Sequence, residues 1–168
     1  MQYENRRVLV IDDEPSMHED FRSVLTESAP ADSQIRFEQL ESSLFGNGPR
    51  AQRLGFEVSS GHQGEQGFEL AREALARGMP FAVAFVDMRM PPGWDGVQTV
   101  KALWRLDPRL QVIFCTAYSD YSWQDTLDEL DARDRLLVVK KPFDPIEVWQ
   151  AAVTLCAKWA LERRLEAA

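Results

Sequence analysis

Residues 81–96 read FAVAFVDMRMPPGWDG. Six consecutive apolar residues, Phe81 to Val86, stop abruptly at Asp87, and the stiff Pro91-Pro92-Gly93 turn follows. A continuous apolar run of that length suits a strand covered on both faces, the condition of a parallel sheet. The same form recurs on either side. Val8-Leu9-Val10-Ile11 stops at Asp12-Asp13, and Val112-Ile113-Phe114-Cys115 stops at Thr116. Leu136-Leu137-Val138-Val139 stops at Lys140-Lys141, and a weaker run is Phe56-Glu57-Val58. Helix-period segments lie between them: Ser16 to Thr26, Gly64 to Arg77, Val97 to Leu106, Trp123 to Leu130, and a long one from Ile146. Gly78 stops the second and Asp107-Pro108 ends the third. The alternation predicts an α/β fold, a (βα)5 three-layer sandwich around a five-stranded parallel sheet.

The 168 residues carry 19 Lys and Arg against 27 Asp and Glu, a formal net charge of -8. An acidic surface repels phosphate backbones, so nucleic acid is not an expected partner. Cys115 and Cys156 sit in apolar stretches and read as buried reduced thiols of a cytoplasmic protein. No apolar run approaches the ~20 residues of a membrane helix, and MQYENRR at the start lacks a signal peptide's apolar region, so no membrane association is expected.

Two stretches exceed a minimal five-unit fold. Glu27 to Gly55 separates the first helix from the second strand, where such connections usually take ~2–6 residues. Ile35, Phe37, Leu40, Leu44 and Phe45 are partly helix-spaced there, and Gly46-Asn47-Gly48-Pro49 breaks the pattern, so an inserted short helix is expected. The tail has no breaker after Pro145, which allows one helix of ~20 residues, about 30 Å. Ile146, Trp149, Val153, Cys156 and Ala160 form its expected docking face, while Leu155, Trp159, Leu161 and Leu165 are expected to continue past it.

In open parallel sheets the functional crevice lies beyond the carboxyl ends of the strands. Asp12, Asp13, Asp87, Thr116 and Lys141 all fall there. Any one of them alone is an ordinary solvated loop residue; all of them at strand termini are a constellation. Clustered carboxylates repel, and the usual remedy is a hard divalent cation with oxygen ligands, which Mg2+ fits. Asp87 can then attack a phosphoryl group as a carboxylate nucleophile. The Lys141 ammonium and the Thr116 hydroxyl are placed to stabilise the transferred oxygens.

The runs VLVIDDEPSM, AFVDMRMPPGWDG, VIFCTAYSD and VVKKPFDP, at residues 8–17, 84–96, 112–120 and 138–145, resemble the receiver domain of bacterial two-component response regulators, which is CheY-like and flavodoxin-like in fold. The resemblance implies a receiver over residues 1–159, with the insertion at 27–55, and a C-terminal extension of the last helix at 160–168 that serves signalling or dimerisation. It implies that Asp87 is the phosphoacceptor and that Asp12, Asp13, Asp87 and the Arg89 backbone carbonyl hold Mg2+. Thr116 is then the switch hydroxyl and Lys141 the phosphoryl-stabilising lysine, followed by a cis bond to Pro142. Lys140 points the other way by strand alternation. The implied partners are a histidine kinase or a histidine phosphotransfer protein, with an output domain fused to the receiver. A cyclic-dinucleotide enzyme or a sensor kinase is the output favoured by the insertion and the helical exit. Its only catalysis would be its own phosphotransfer and slow dephosphorylation.

Three departures bear on this. The loop from Asp87 to Gly96 is one residue longer than the family pattern D-x-x-M-P-x-x-D-G. The aromatic expected three residues before the lysine is Val138, with Tyr118 or Tyr121 as the nearby substitutes. Arg89 and Tyr118 occupy positions that flank the hydrolytic water's path, and their bulk implies a long-lived acyl phosphate. Two other readings share parts of the pattern. An Asp-nucleophile Mg2+ phosphohydrolase of the haloacid-dehalogenase type wants an acid/base Asp where Arg89 stands, and a pseudo-receiver interaction module would lack Asp87, Lys141 or the acidic pair. His18, early in the first helix, reads as a solvated histidine or as a residue supporting the site. The five tryptophans read as core or surface aromatics rather than a base-stacking set, with Trp94 and Trp123 nearest the site.

Overall fold

A computed structural model describes residues 5–26, 55–117, 122–131 and 134–168. The inserted helix expected within 27–55 lies outside them, Gly55 excepted, as do Tyr118 and Tyr121. Five strands and five helices alternate among the described residues: β1 (Arg7–Ile11), α1 (Pro15–Leu25), β2 (Glu57–Gly61), α2 (Gly64–Ala76), β3 (Val83–Asp87), α3 (Gly96–Leu106), β4 (Gln111–Thr116), α4 (Trp123–Leu130), β5 (Leu136–Lys140) and α5 (Pro145–Ala167). All strand pairings are parallel, in the order β2-β1-β3-β4-β5. That is the doubly wound flavodoxin-like order.

The three layers follow from strand alternation. Leu9, Ile11, Val86 and Phe114 face α2, α3 and α4, where Val100, Leu103 and Trp104 meet them. Val8, Val10, Phe85 and Ile113 face the opposite way, onto Phe21 of α1 and Val148, Ala152 and Leu155 of α5. Every residue of β1 from Val8 to Ile11 is fully buried, which is why the run is apolar without interruption. Full burial of each such side chain contributes ~1.5–3 kcal/mol.

The edges differ from that rule. β2 runs from Glu57 to Gly61, displaced from the apolar Phe56-Glu57-Val58, because Ser59 and Ser60 complete the ladder with Leu9 and Val10 by main-chain pairing alone. β5 leaves Leu137 and Val138 exposed at 43% and 38%, so its apolar run does not signal cover on both faces. An edge strand has one neighbour, here β4, and less of its surface is enclosed.

The last helix is one unbroken element of 23 residues, about 34 Å long at 1.5 Å per residue. Its buried stripe is Val148, Ala151, Ala152, Leu155 and Cys156; Cys156 is as expected, whereas Ile146, Trp149, Val153 and Ala160 are only half-buried and Leu155 packs inward instead of continuing past the docking face. The physical reason is size. Two alanines let the helix axis approach the sheet, and Trp149, Val153 and Trp159 pack at the rim. Beyond that stripe Leu161 and Leu165 are exposed. Gln111, fully buried at the start of β4, ties the overhang down. Its amide donates to Glu162 at 3.2 Å and its carbonyl oxygen accepts from Lys158 at 3.1 Å. Cys115 and Cys156 are both buried, and neither forms a disulfide.

Candidate functional site

Parallel pairing brings the carboxyl ends of β1, β3, β4 and β5 to one edge of the sheet. Ile11 is level with Val86, Asp87 with Cys115, and Thr116 with Lys140. Asp12 therefore emerges beside Asp87, and Lys141 leaves β5 just past Thr116.

Asp12 is 1% exposed and held on all sides. Its N–H donates to the Gly61 carbonyl at 3.1 Å, extending the β1–β2 ladder by one rung. Its Oδ1 accepts from the Glu14 N–H at 2.9 Å, a local turn of the kind aspartate favours. Its Oδ2 accepts from Lys141 Nζ at 2.7 Å, and its carbonyl from His18 Nε2 at 2.7 Å. Asp87 is 7% exposed. Its Oδ1 accepts from the Met88 N–H at 2.8 Å, and its Oδ2 lies 3.6 Å from Lys141 Nζ. Oxygens of Asp12, Asp13 and Asp87 all lie within 4.8 Å of one another, with Asp13 the least buried.

Two of the three carboxylates, Asp12 and Asp87, thus share the Lys141 ammonium. Burial pushes the Asp87 carboxyl up to about 6, and the Asp12 charge adds to this, against the pull of Lys141 and of the Met88 and Arg89 amides. Burial works against the Lys141 ammonium, but the hydrogen bond and charge of Asp12, with Asp87 behind them, outweigh it and raise its pKa. A close set of hard oxygen donors with excess negative charge fits a small divalent cation.

Thr116 is buried at the end of β4, and its carbonyl accepts from the Lys141 N–H at 2.8 Å. Lys140 is exposed, one residue away and on the opposite side. The Lys141–Pro142 bond is cis, and so is Pro91–Pro92. Arg89 is exposed beside buried Met88, with its amide on the Asp87 carboxylate. Val138 lies exposed on β5, paired in register with Phe114.

The lengthened loop after Asp87 closes where the Gly96 N–H donates to the Met88 carbonyl at 2.9 Å. A Cβ at Gly96 would stand 2.6 Å from the Asp87 carbonyl oxygen and 2.9 Å from Met88 Cα, so only glycine fits this return. The extra length leans on α2. The Trp94 N–H donates to Glu65 Oε1 at 3.1 Å, and the Trp94 ring meets Phe68 edge-on with centroids 6.0 Å apart. Trp123 packs against the core on the other side, its ring centroid 6.3 Å from that of Phe114.

Sequence reasoning passed over several of these contacts. Glu14, Gly61 and Met88 act through main-chain groups, which side-chain patterns do not display. His18 carried a signal: it is three and seven residues before Phe21 and Leu25, on the buried face of α1, where a histidine needs a partner.

The profile of the family described as "Response regulator receiver domain" matches residues 49–153, more than half of the chain. This chain belongs to the response regulator receiver domain family. The matched residues include Asp87, Thr116 and Lys141, and the fold brings Asp12 and Asp13 beside Asp87 from ahead of the match. No curated protein sequence matches the chain. Among solved structures, the CheY-like response regulator receiver domain protein of Methanospirillum hungatei JF-1 shares 18% identity at TM-score 0.65, covering 94% of this chain and 98% of that one. A structure described as adenylate cyclase from Rhodopirellula baltica shares 19% identity at TM-score 0.64, covering 97% and 96%. The CheX-CheY-BeF3-Mg+2 complex of Borrelia burgdorferi shares 18% identity at TM-score 0.53, covering 89% and 87%. These likenesses show a CheY-like receiver fold, in agreement with the strand order. No helix among the described residues is long and apolar enough to cross a membrane.

Proposed function

We propose that this receiver takes a phosphoryl group onto Asp87 from a phosphohistidine on a histidine kinase or phosphotransfer protein. The supporting observation is the convergence of the Asp12, Asp13 and Asp87 carboxylates within 4.8 Å, with Lys141 Nζ 3.6 Å from Asp87 Oδ2. A carboxylate oxygen of Asp87 forms the new P–O bond as the P–N bond breaks, and the departing imidazole keeps its electron pair and takes a proton. The Met88 and Arg89 amides hold the Asp87 carboxylate in place for attack. Lys141 moves from its carboxylate partners onto a phosphoryl oxygen, and Thr116 donates to another.

Asp12, Asp13 and Asp87, with the Arg89 carbonyl, would hold Mg2+, which supplies charge neutralisation for the incoming phosphoryl oxygens. Arg89 and Tyr118, which the family resemblance sets on the path of the hydrolytic water, slow hydrolysis of the acyl phosphate. The phosphorylated state shifts a conformational equilibrium read by a fused output domain or by a partner, including a second copy met through the overhang of α5. The domain acts in the cytoplasm and runs no turnover reaction on an external substrate.

Acetyl phosphate with Mg2+ tests the reading. One phosphoryl group per chain is expected, lost in Asp87→Asn and without Mg2+. An intact, folded protein that takes none would make this a pseudo-receiver. Tyr118→Ala is expected to shorten the lifetime of the phosphorylated state, and an unchanged lifetime would remove Tyr118 from this role.

A further inference from the structure

His18 is 5% exposed on α1, in a helix turn whose neighbouring positions face the sheet. Its Nε2 lies 2.7 Å from the carbonyl oxygen of Asp12. A carbonyl oxygen only accepts, so Nε2 carries the proton. The other nitrogen, Nδ1, is buried without a hydrogen-bond partner. A protonated ring would bury a second unpaired N–H there, so this environment holds the neutral Nε2–H form. The ring of His62, from the turn between β2 and α2, lies over it with centroids 4.4 Å apart and planes tilted by 53°. The Gly61 carbonyl just before His62 accepts the Asp12 N–H. Both peptide groups of Asp12 are therefore pinned, one by the β2 end and one by His18.

We propose that His18, covered by His62, is a positioning residue for the cation site: its Nε2–H fixes the Asp12 carbonyl and so the direction in which the Asp12-Asp13 carboxylates leave β1. This inference rests on the reading of the acidic crevice as an Mg2+ site. Groups that orient metal ligands from behind change metal affinity when lost, typically by ~10–100-fold, although the ligand residues themselves are unchanged. Loss of the His18 donor also leaves the Asp12 carbonyl buried without its partner. The chain then relaxes by turning that peptide, and the turn swings the carboxylates of residues 12 and 13 out of register with Asp87.

The test compares the parent with His18→Phe, which keeps a ring and removes the donor, and with His18→Gln, whose side-chain amide N–H can reach the same carbonyl. Mg2+ binding is read by calorimetry, and the rate of acetyl phosphate labelling is followed against Mg2+ concentration. In His18→Phe the half-saturating Mg2+ concentration should rise at least about tenfold, with the labelling rate at saturating Mg2+ within about twofold of the parent. His18→Gln should return the Mg2+ requirement to within about threefold of the parent. Parent-like Mg2+ dependence in both variants overturns the inference while leaving the phosphoacceptor reading intact. An equal loss in both also overturns it, since the donor would then not be the cause. If His18→Phe does not fold, His18→Gln decides against His62→Ala. The glutamine variant should bind Mg2+ within about threefold of the parent, and a loss in it both larger than that and larger than in His62→Ala refutes the role. A parent that binds no Mg2+ refutes both readings together.

Discussion

Asp87 shows how one residue's protonation joins stability to ligand binding. Its folded pKa of about 6 stands above the ordinary 3.8, because burial and the neighbouring Asp12 disfavour its charge. The stabilisation that this implies is complete below the unfolded value and is lost as pH rises from about 4 through about 6. By about pH 7.5 the metal-free protein forfeits on the order of 2–3 kcal/mol to the ionised Asp87 carboxylate. Thermal melts in EDTA should therefore find Asp87→Asn more stable than the parent near pH 7.5, with the difference shrinking towards pH 5, about where the carboxylate regains its proton. Equal melting temperatures at both values would contradict the assignment. Mg2+ competes with that proton, so it should raise the parent's melting temperature more at about pH 7.5 than at about pH 5.5. The carboxylates and Lys141 were legible in the sequence because strand ends are marked by the apolar run that precedes them. His18 was legible only as a polar residue on an apolar helix face, since its partner is the main-chain carbonyl of Asp12.

Among the elements, the loop between β3 and α3 carries the most constraint per residue. Gly96→Ala forces its Cβ against the Asp87 carbonyl and Met88 Cα. Backbone cannot yield as a flexible side chain does, so a loss of roughly 1–3 kcal/mol is expected in denaturant unfolding, together with slower labelling of Asp87. Glu65→Ala frees the Trp94 amide at an exposed position. It should cost no more than about 1 kcal/mol, yet it should speed amide exchange at Gly93 and Trp94; unchanged exchange would show that the hydrogen bond does not anchor the loop. The extra residue was countable in the sequence, but its direction was not. That direction is set by Glu65 and Phe68, about 25 positions earlier, on a helix that meets the loop only in the folded sheet. The strands show the same division. Period and punctuation revealed β1, β3 and β4, whereas β2 is half polar and depends on its neighbour's main chain, and β5 owes its apolar run to something other than two-sided burial.

For the whole molecule, the overhang of α5 is attached by polar contacts rather than by its leucines. Leu161 and Leu165 are 55% and 69% exposed, while Glu162 joins Gln111 and Lys158. A chain ending at Ala160 should therefore keep its fold and its Asp87 labelling. It should lose about 1–2 kcal/mol, a drop of a few degrees in melting temperature at ~2–4 °C per kcal/mol. Collapse of the truncated chain would mean that residues 161–168 belong to the folding unit itself. The order β2-β1-β3-β4-β5 has a further consequence for the life of the protein. Lys141 and Asp12 are separated by 129 positions, and the lysine reaches the aspartate from beyond β5, across the ends of β4 and β3. Contacts between such distant parts of a chain form late, after the intervening strands have docked. A ribosome-bound chain that has already made β1, α1 and β3 holds its carboxylates but has no ammonium to set between them. On the proposed function, uptake of a phosphoryl group at Asp87 must wait until synthesis has passed Lys141 and the whole sheet has closed.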